Sequence, residues 1–408
     1  MRKVAVTGFG IVSPLGRGPA ENSAALQAGR SGIVSMRPPW ADAKLKSHVA
    51  GRVDPAPLRE AFDRRQSRFL CDAAVLAATA FGDAVKHAEL TPAQVQDPRT
   101  GLVLGTGSGA SMADAVAHGD KVRERGGNRT GPFQVPLIMG SSLTANIGTI
   151  WKIRGHSYCI TSACSTSAHA MMAGLDLIRS GRQDRVFAGG GEDLNVYVAS
   201  AFDSMGALSS AYNDTPHRAS RPLDRKRDGF VVGSGAAVVV LEELELARAR
   251  GARIWAMLDG AAATCDGEDM VAPNGIGAQA CMRLAMEDAG LRPEQVDYIN
   301  LHGTSTPIGD VAEVEAIKAV FGARVPAFSS TKSMTGHALG AAGAHEAVFC
   351  LVMMADGFLA PNINLDDPEP VVADLPVVRE CRRTQPQVVL SNSFGFGGTN
   401  CTLAFRRA

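Results

Sequence analysis

The chain carries no excess of charge of either sign. Among its 408 residues Lys and Arg number 41 and Asp and Glu number 41. No overall field therefore attracts nucleic acid or an anionic membrane, and a charged partner must meet a local patch. The eight cysteines (Cys71, Cys159, Cys164, Cys265, Cys281, Cys350, Cys381 and Cys401) form no CxxC pair and no cluster with histidine at metal-ligand spacing. That excludes a zinc site and a disulfide framework and fits reduced thiols in the cytoplasm. The glycine runs 105–109 and 189–191 lack the spacing of a dinucleotide or Walker loop, and no EF-hand or kinase pattern is present. Residues 3–7 are already strand-like, so no secretory leader is expected. No apolar run approaches the roughly 20 residues that span a bilayer.

What is present describes a two-part α/β protein. The content of 45% hydrophobic and 20% charged residues is ordinary for a globular chain, and the length suggests two core units. Candidate strands are 4–7, 101–105, 157–160, 185–188, 236–241, 254–258, 298–301, 327–329, 388–391 and 402–405. Helix-like stretches at 67–86, 277–289 and 311–321 lie between them, and this alternation predicts buried sheets flanked by helices. The charged segment EELELARARGAR (242–253), read as a helix ending at Gly251, divides the chain into halves of 1–250 and 251–408. Each half holds one helix of small residues, after Cys164 in the first and in TGHALGAAGAHEAVFCLVMM in the second. Helices of low volume that are apolar on most faces belong in the middle of a structure, so one per half hints at duplication.

Cys164 stands where a β-like run stops and the first small-residue helix begins. A helix N-terminus offers unpaired N–H groups and a positive dipole end, which favour the nucleophilic thiolate. Most free cysteines merely pack, so the case rests on partners. His302 lies in NLHGTSTPIGD, just past a strand, and His337 opens the second small-residue helix. All three fall at strand-to-loop or loop-to-helix junctions, where α/β folds build sites. Lys332, five residues before His337, sits in an apolar setting and needs a carboxylate, and Glu346 is the nearest along the chain. Phe394 and Phe396, in the glycine-rich SNSFGFGGTN, form a movable wall whose amides offer an oxyanion contact. Basic clusters at 63–68 and 121–129 read either as solvated helix faces or as a dock for an acidic partner.

These residues stand inside motifs that resemble the elongating β-ketoacyl-[acyl-carrier-protein] synthases, type I most of all. The resemblance runs from VAVTGFGIVSPLG through SACSTSAHA, FAGGGEDL, YNDTPHRASRPLDRKRDGFV, DMVAPNG, HGTSTPIGD and TKSMTGHALGAAG to SNSFGFGGTNCTLAF. It implies a thiolase-like fold of five layers, α-β-α-β-α, from two βαβαβαββ halves, and a homodimer. It implies a Cys-His-His site of Cys164, His302 and His337, ordered by Lys332 with Glu346. Decarboxylation of a malonyl-carrier would yield an enolate, which attacks an acyl group held on Cys164. The amides of Cys164 and Phe396 would hold the oxyanion, and Phe394 and Phe396 would gate the malonyl group. Thr304 and Thr306 would bind the pantetheine arm, Phe202 and Phe230 would line the pocket, and Ser108 would leave room at its far end. Arg64, Arg65, Arg68, Arg125 and Arg129 would dock the acyl carrier protein. No cofactor is implied, because the substrate brings its own phosphopantetheine. A biosynthetic thiolase would place a second cysteine, and an initiating synthase a Cys-His-Asn set, where this chain has His337 in TGHALGAAG. A specialised polyketide ketosynthase keeps the same set, while a non-catalytic chain-length partner should lack the nucleophile.

Overall fold

The structure, a computed structural model, describes residues 1–108 and 111–408. Gly109, the last of the 105–109 glycine run, lies with Ala110 outside the described residues. Ten strands form one continuous ladder. They are β1 (Val4–Ser13), β2 (Thr100–Gly105), β3 (Ser157–Ile160), β4 (Arg185–Glu192), β5 (Gly235–Glu243), β6 (Ala256–Cys265), β7 (Tyr298–Asn300), β8 (Ala327–Ser329), β9 (Val388–Gly395) and β10 (Thr399–Arg407). Their order is β3-β2-β4-β5-β1-β6-β10-β9-β7-β8. β2 pairs parallel with β3 and β4, and β5 pairs antiparallel with β4 and β1. β7 pairs parallel with β8 and β9, and β10 pairs antiparallel with β9 and β6. The second five strands thus repeat the order and directions of the first. Among the described residues the two sets pair where Ala5 and Val6 of β1 face Met257 and Ala256 of β6.

Side-chain alternation along the strands builds the layers. Val186 and Ala188 of β4, with Ala237, Val239 and Leu241 of β5, face a central core. Phe187, Val238 and Val240 face the opposite way, onto α1 (Asp72–His87). The central core contains α2 (Thr166–Arg179), and it also contains a second central helix that closes the other half. On the far side of the second sheet, α3 (Ile276–Asp288) and α4 (Gly309–Phe321) pack on Ile299, Phe328 and Leu390. The second central helix is α5 (Ala342–Asp356). The result is five layers, α-β-α-β-α, with every residue of β4 and β5 buried. Strands covered on both faces need near-continuous apolar runs, as FAGG and AAVVVL supply. The two central helices touch closely, and a Cβ on Gly343 would stand 3.0 Å from the Ala168 Cβ.

Three readings need correction. Helix-forming residues 67–86 divide into a single turn, Arg64–Ser67, capped by the Asp63 carboxylate, and α1, which starts only at Asp72. Glu242 and Glu243 end β5 rather than opening a helix, and the helix there is Leu244–Ala249. Glu242 is fully buried, with its charge balanced by Arg185 and Arg250 and accepting from the Thr7 hydroxyl. This pairing lets a carboxylate sit in a central strand. One helical run, Leu339–Asp356, is also apolar and long enough by composition to cross a bilayer, but 89% of it is buried inside the protein as the central helix.

Candidate active site

Between β3 and α2 the chain turns sharply through Ala163, whose φ of 48° lies in the left-handed region. An L-residue there is strained, and strain of this kind persists only where surrounding contacts hold it. The Ser165 hydroxyl supplies such contacts, donating to the carbonyls of Ser393 at 2.9 Å and Thr399 at 2.7 Å, both in the second half. Cys164 stands at the apex, two residues before α2 begins. A Cβ on Gly395 would lie 3.0 Å from the Cys164 amide nitrogen, so glycine is needed for this approach. The next amide, of Phe396, favours the thiolate form of Cys164.

The thiolate expected from sequence is not the resting state. Burial pushes the Cys164 thiol up to about 12, while the Lys332 charge and the Phe396 amide pull it down and the Glu192 carboxylate pushes it further up. Protein walls the sulfur on most sides, although part of the residue opens into a cavity. The cost of an isolated anion there exceeds the help from the helix end.

His302 follows β7, and its position is set from α4. The amides of His302 and Gly303 donate to the Glu313 carboxylate at 2.9 and 2.8 Å, and Asn392 donates to the same group at 3.1 Å. His337 is clamped through its backbone by a segment of the first half. Its amide donates to the Val231 carbonyl at 2.7 Å, and its carbonyl accepts from the Gly233 amide at 2.8 Å. The two imidazoles meet edge to face, with centroids 5.2 Å apart. Nδ1 of His302 and both ring nitrogens of His337 have no hydrogen-bond partner among the described residues. Burial, and after it the Lys332 charge, holds both imidazoles well below their ordinary value. Each is therefore neutral at pH 7, with one N–H to offer an oxygen. Lys332 is buried and paired with Glu346, whose carboxyl burial raises to about 7 against the pull of that lysine.

One cavity of about 370 Å³ gathers Cys164, His302, His337, Phe394 and Phe396 together with Thr304, Thr306, Phe202 and Phe230. The hydroxyls of Thr304 and Thr306 lie 3.1 Å apart. The Phe202 ring packs edge to face on Phe230 at 5.1 Å and lies 6.2 Å from that of Phe396. Lys332 and Glu346 sit behind the histidines, outside the cavity wall. Ser108 is not on that wall either, since its hydroxyl and amide turn to the Glu192 carboxylate. Arg64, Arg65, Arg68, Arg125 and Arg129 are all exposed. Arg68 lies over the Phe69 ring at 4.9 Å and the Phe133 ring at 4.7 Å.

Sequence reading missed Glu313, Glu192, Leu339 and the wall formed by Asp266 and residues 269–273. For Glu192 the run of apolar strand residues ending in GGGED was the available signal, because a carboxylate that closes a buried strand requires partners. The adjacent Asp193 is 5% exposed, and its Oδ1 has no partner among the described residues. Burial, with the neighbouring Glu192 charge second, raises its carboxyl to about 7. A folded-state value above the ordinary one gives stability that is complete below the unfolded value and is lost as pH rises through the folded one. Asp193→Asn is therefore expected to raise the thermal midpoint by several degrees at pH 8 and to change it little near pH 4. Thermal unfolding followed by circular dichroism across that range checks this.

Residues 1–247 match the family model "Beta-ketoacyl synthase, N-terminal domain", and residues 255–366 match "Beta-ketoacyl synthase, C-terminal domain". The 3-oxoacyl-[acyl-carrier-protein] synthase 1 of Haemophilus influenzae is 50% identical, covering 100% of this chain and 99% of that protein. The crystal structure of a β-ketoacyl synthase from Burkholderia phymatum superposes with a TM-score of 0.92 at 36% identity, covering 100% of both chains. A type II polyketide ketosynthase, solved in complex with its acyl-carrier protein, superposes with a TM-score of 0.86 at 30% identity, again over 100% of both chains.

Proposed function

Since the chain belongs to the β-ketoacyl synthase family, we propose that it lengthens acyl chains on an acyl carrier protein by two carbons through a thioester on Cys164. One observation carries this reading: Cys164, His302 and His337 converge on a single, largely apolar cavity although they come from both halves of the chain. The sulfur of Cys164 attacks the acyl-carrier thioester, and its proton passes to the departing pantetheine sulfur. Malonyl-carrier then enters. Its carboxylate leaves as carbon dioxide, and the electron pair of the broken bond becomes an enolate on the thioester oxygen. The neutral imidazoles of His302 and His337 donate to that oxygen as its charge grows. The enolate carbon attacks the acyl carbonyl on Cys164, whose oxyanion faces the amides of Cys164 and Phe396. Collapse expels the sulfur, which takes up a proton, and releases β-ketoacyl-carrier. Burial, and after it the charge of Lys332 beside Glu346, keeps the imidazoles neutral. Thr304 and Thr306 lie where a pantetheine arm passes. Phe394 and Phe396 stand at the cavity wall as the gate.

The test is incubation with an acyl-carrier and malonyl-carrier, read by mass spectrometry. A β-ketoacyl-carrier two carbons longer supports the reading, and carbon dioxide release without that product sinks it. A series of saturated and cis-unsaturated acyl-carriers separates general fatty acid elongation from a specialised polyketide role.

The carrier is a separate protein and must dock. The exposed Arg64, Arg65, Arg68, Arg125 and Arg129 supply a local positive patch on a chain without net charge. Arg65→Glu is expected to raise the KM for the carrier about tenfold at low salt, narrowing at high salt as the field is screened. An unchanged KM removes this patch from the docking surface. The reading also includes a homodimer in the cytoplasm. β3 ends the ladder with Ser157 and Tyr158 exposed, and an unpaired edge of this kind is a place for a second copy to pair. Light scattering on the isolated protein measures that state.

A further inference from the structure

Glu192 ends β4 in the interior, fully buried, and among the described residues no basic side chain is bonded to it. Its carboxylate instead collects donors from two separate parts of the chain. Oε1 accepts from the Thr106 hydroxyl at 3.0 Å, from the Ser108 amide at 3.3 Å and from the Ser108 hydroxyl. Oε2 accepts from the Gly107 amide at 2.7 Å and the Gly340 amide at 3.0 Å. Gly340 lies in the short turn that carries the chain from His337 into α5. The 106–108 turn leads to the nucleophile, because the Thr106 carbonyl accepts from the Thr161 hydroxyl just before the elbow. The two turns press together: a Cβ on Gly340 would stand 2.1 Å from the Gly107 nitrogen, and one on Gly107 would stand 2.9 Å from the Ala163 carbonyl oxygen.

We infer that Glu192 is a positioning residue that sets the spacing between Cys164 and His337 by tying the turn behind each to one carboxylate. Both of its oxygens face backbone N–H groups, which cannot turn round and accept. A carboxyl proton or a carboxamide NH₂ at either oxygen would oppose an obligate donor. The knot therefore closes only around the anion, which the dipoles at the start of α5 also favour. Leu339, between His337 and Gly340, is held at φ 45°, so the turn is strained and depends on such a tie.

This inference rests on the proposed condensation, and its test separates the two. Self-acylation of Cys164 needs only the sulfur, and malonyl decarboxylation needs only the histidines. Joining the two products needs both in register, and a misplacement of about 1 Å can cost 10²-fold. Glu192→Gln is expected to lower the kcat of condensation about 10²-fold while each half-reaction falls less than fivefold and the carrier KM holds. If the Gln variant does not fold, Glu192→Asp, which shortens the reach by one methylene, is expected to show the same split at about tenfold. A parallel fall of all three rates, or condensation within twofold of the parent, overturns the positioning role. Failure of the unaltered protein to condense at all overturns the proposed function instead.

Discussion

Cys164→Ala is expected to lower condensation by roughly 10⁴-fold or more, as loss of a nucleophile does where no other group can take its place. Among the described residues no second thiol lines the cavity. The half-reaction that does not use the sulfur should survive, so malonyl-carrier continues to release carbon dioxide. The two measurements are product formation by mass spectrometry and carbon dioxide release from the same preparation. Elongation by the Ala variant would rule out the covalent route. The pH dependence follows from the same burial. The thiol, pushed up to about 12, loses its proton only as pH rises, so alkylation of Cys164 should climb steadily between pH 6 and 9 with no plateau. A plateau near neutrality would show that the helix end and Lys332 outweigh burial.

His337→Ala should show the complementary loss. The ring is buried and neutral, and both of its nitrogens lack a partner among the described residues. Its N–H is thus free for an oxygen that becomes charged only in the reaction. Removal of one donor of this kind costs about 10²–10³-fold in rate. Decarboxylation and condensation should both fall by that amount, while acyl transfer to Cys164 stays near the parent rate. Protonation supplies a second check. Both histidines are held well below their ordinary value, so they gain charge only as pH falls far below 6.5. Decarboxylation should accordingly keep its rate between pH 8 and 6. A decline centred near pH 6.5 would mean that an exposed, ordinary imidazole does the work. Retention of decarboxylation in His337→Ala would move the enolate contact to another group.

Much of the fold was legible because its strands are covered on both faces and so declare themselves as short apolar runs. Every strand read from sequence is present, most of them longer than read. The ends were obscured by residues whose burial depends on distant partners, as with Glu242, which local pattern assigns to a helix and Arg185 and Arg250 hold in a strand. The place of Phe394 and Phe396 on the cavity wall and the Lys332–Glu346 pair were readable from glycine-rich and small-residue contexts. Glu313 was not, because one of three acids on an otherwise ordinary helix shows nothing of the two amides it receives.

The sequence by itself determined the α/β class of the chain and which residue types are proposed for the chemistry, since nucleophile, imidazoles and hydrophobic period are local properties. Only the tertiary structure decided the state and the alignment of those groups. Burial turned the anticipated thiolate into a thiol and kept both histidines neutral. Contacts across the halves, from Ser165 to Ser393, from His337 to Val231 and from Glu192 to Gly340, placed them against one another. Charge state and spacing depend on what surrounds a group in three dimensions, and neighbours more than a hundred residues away leave no mark on the local pattern.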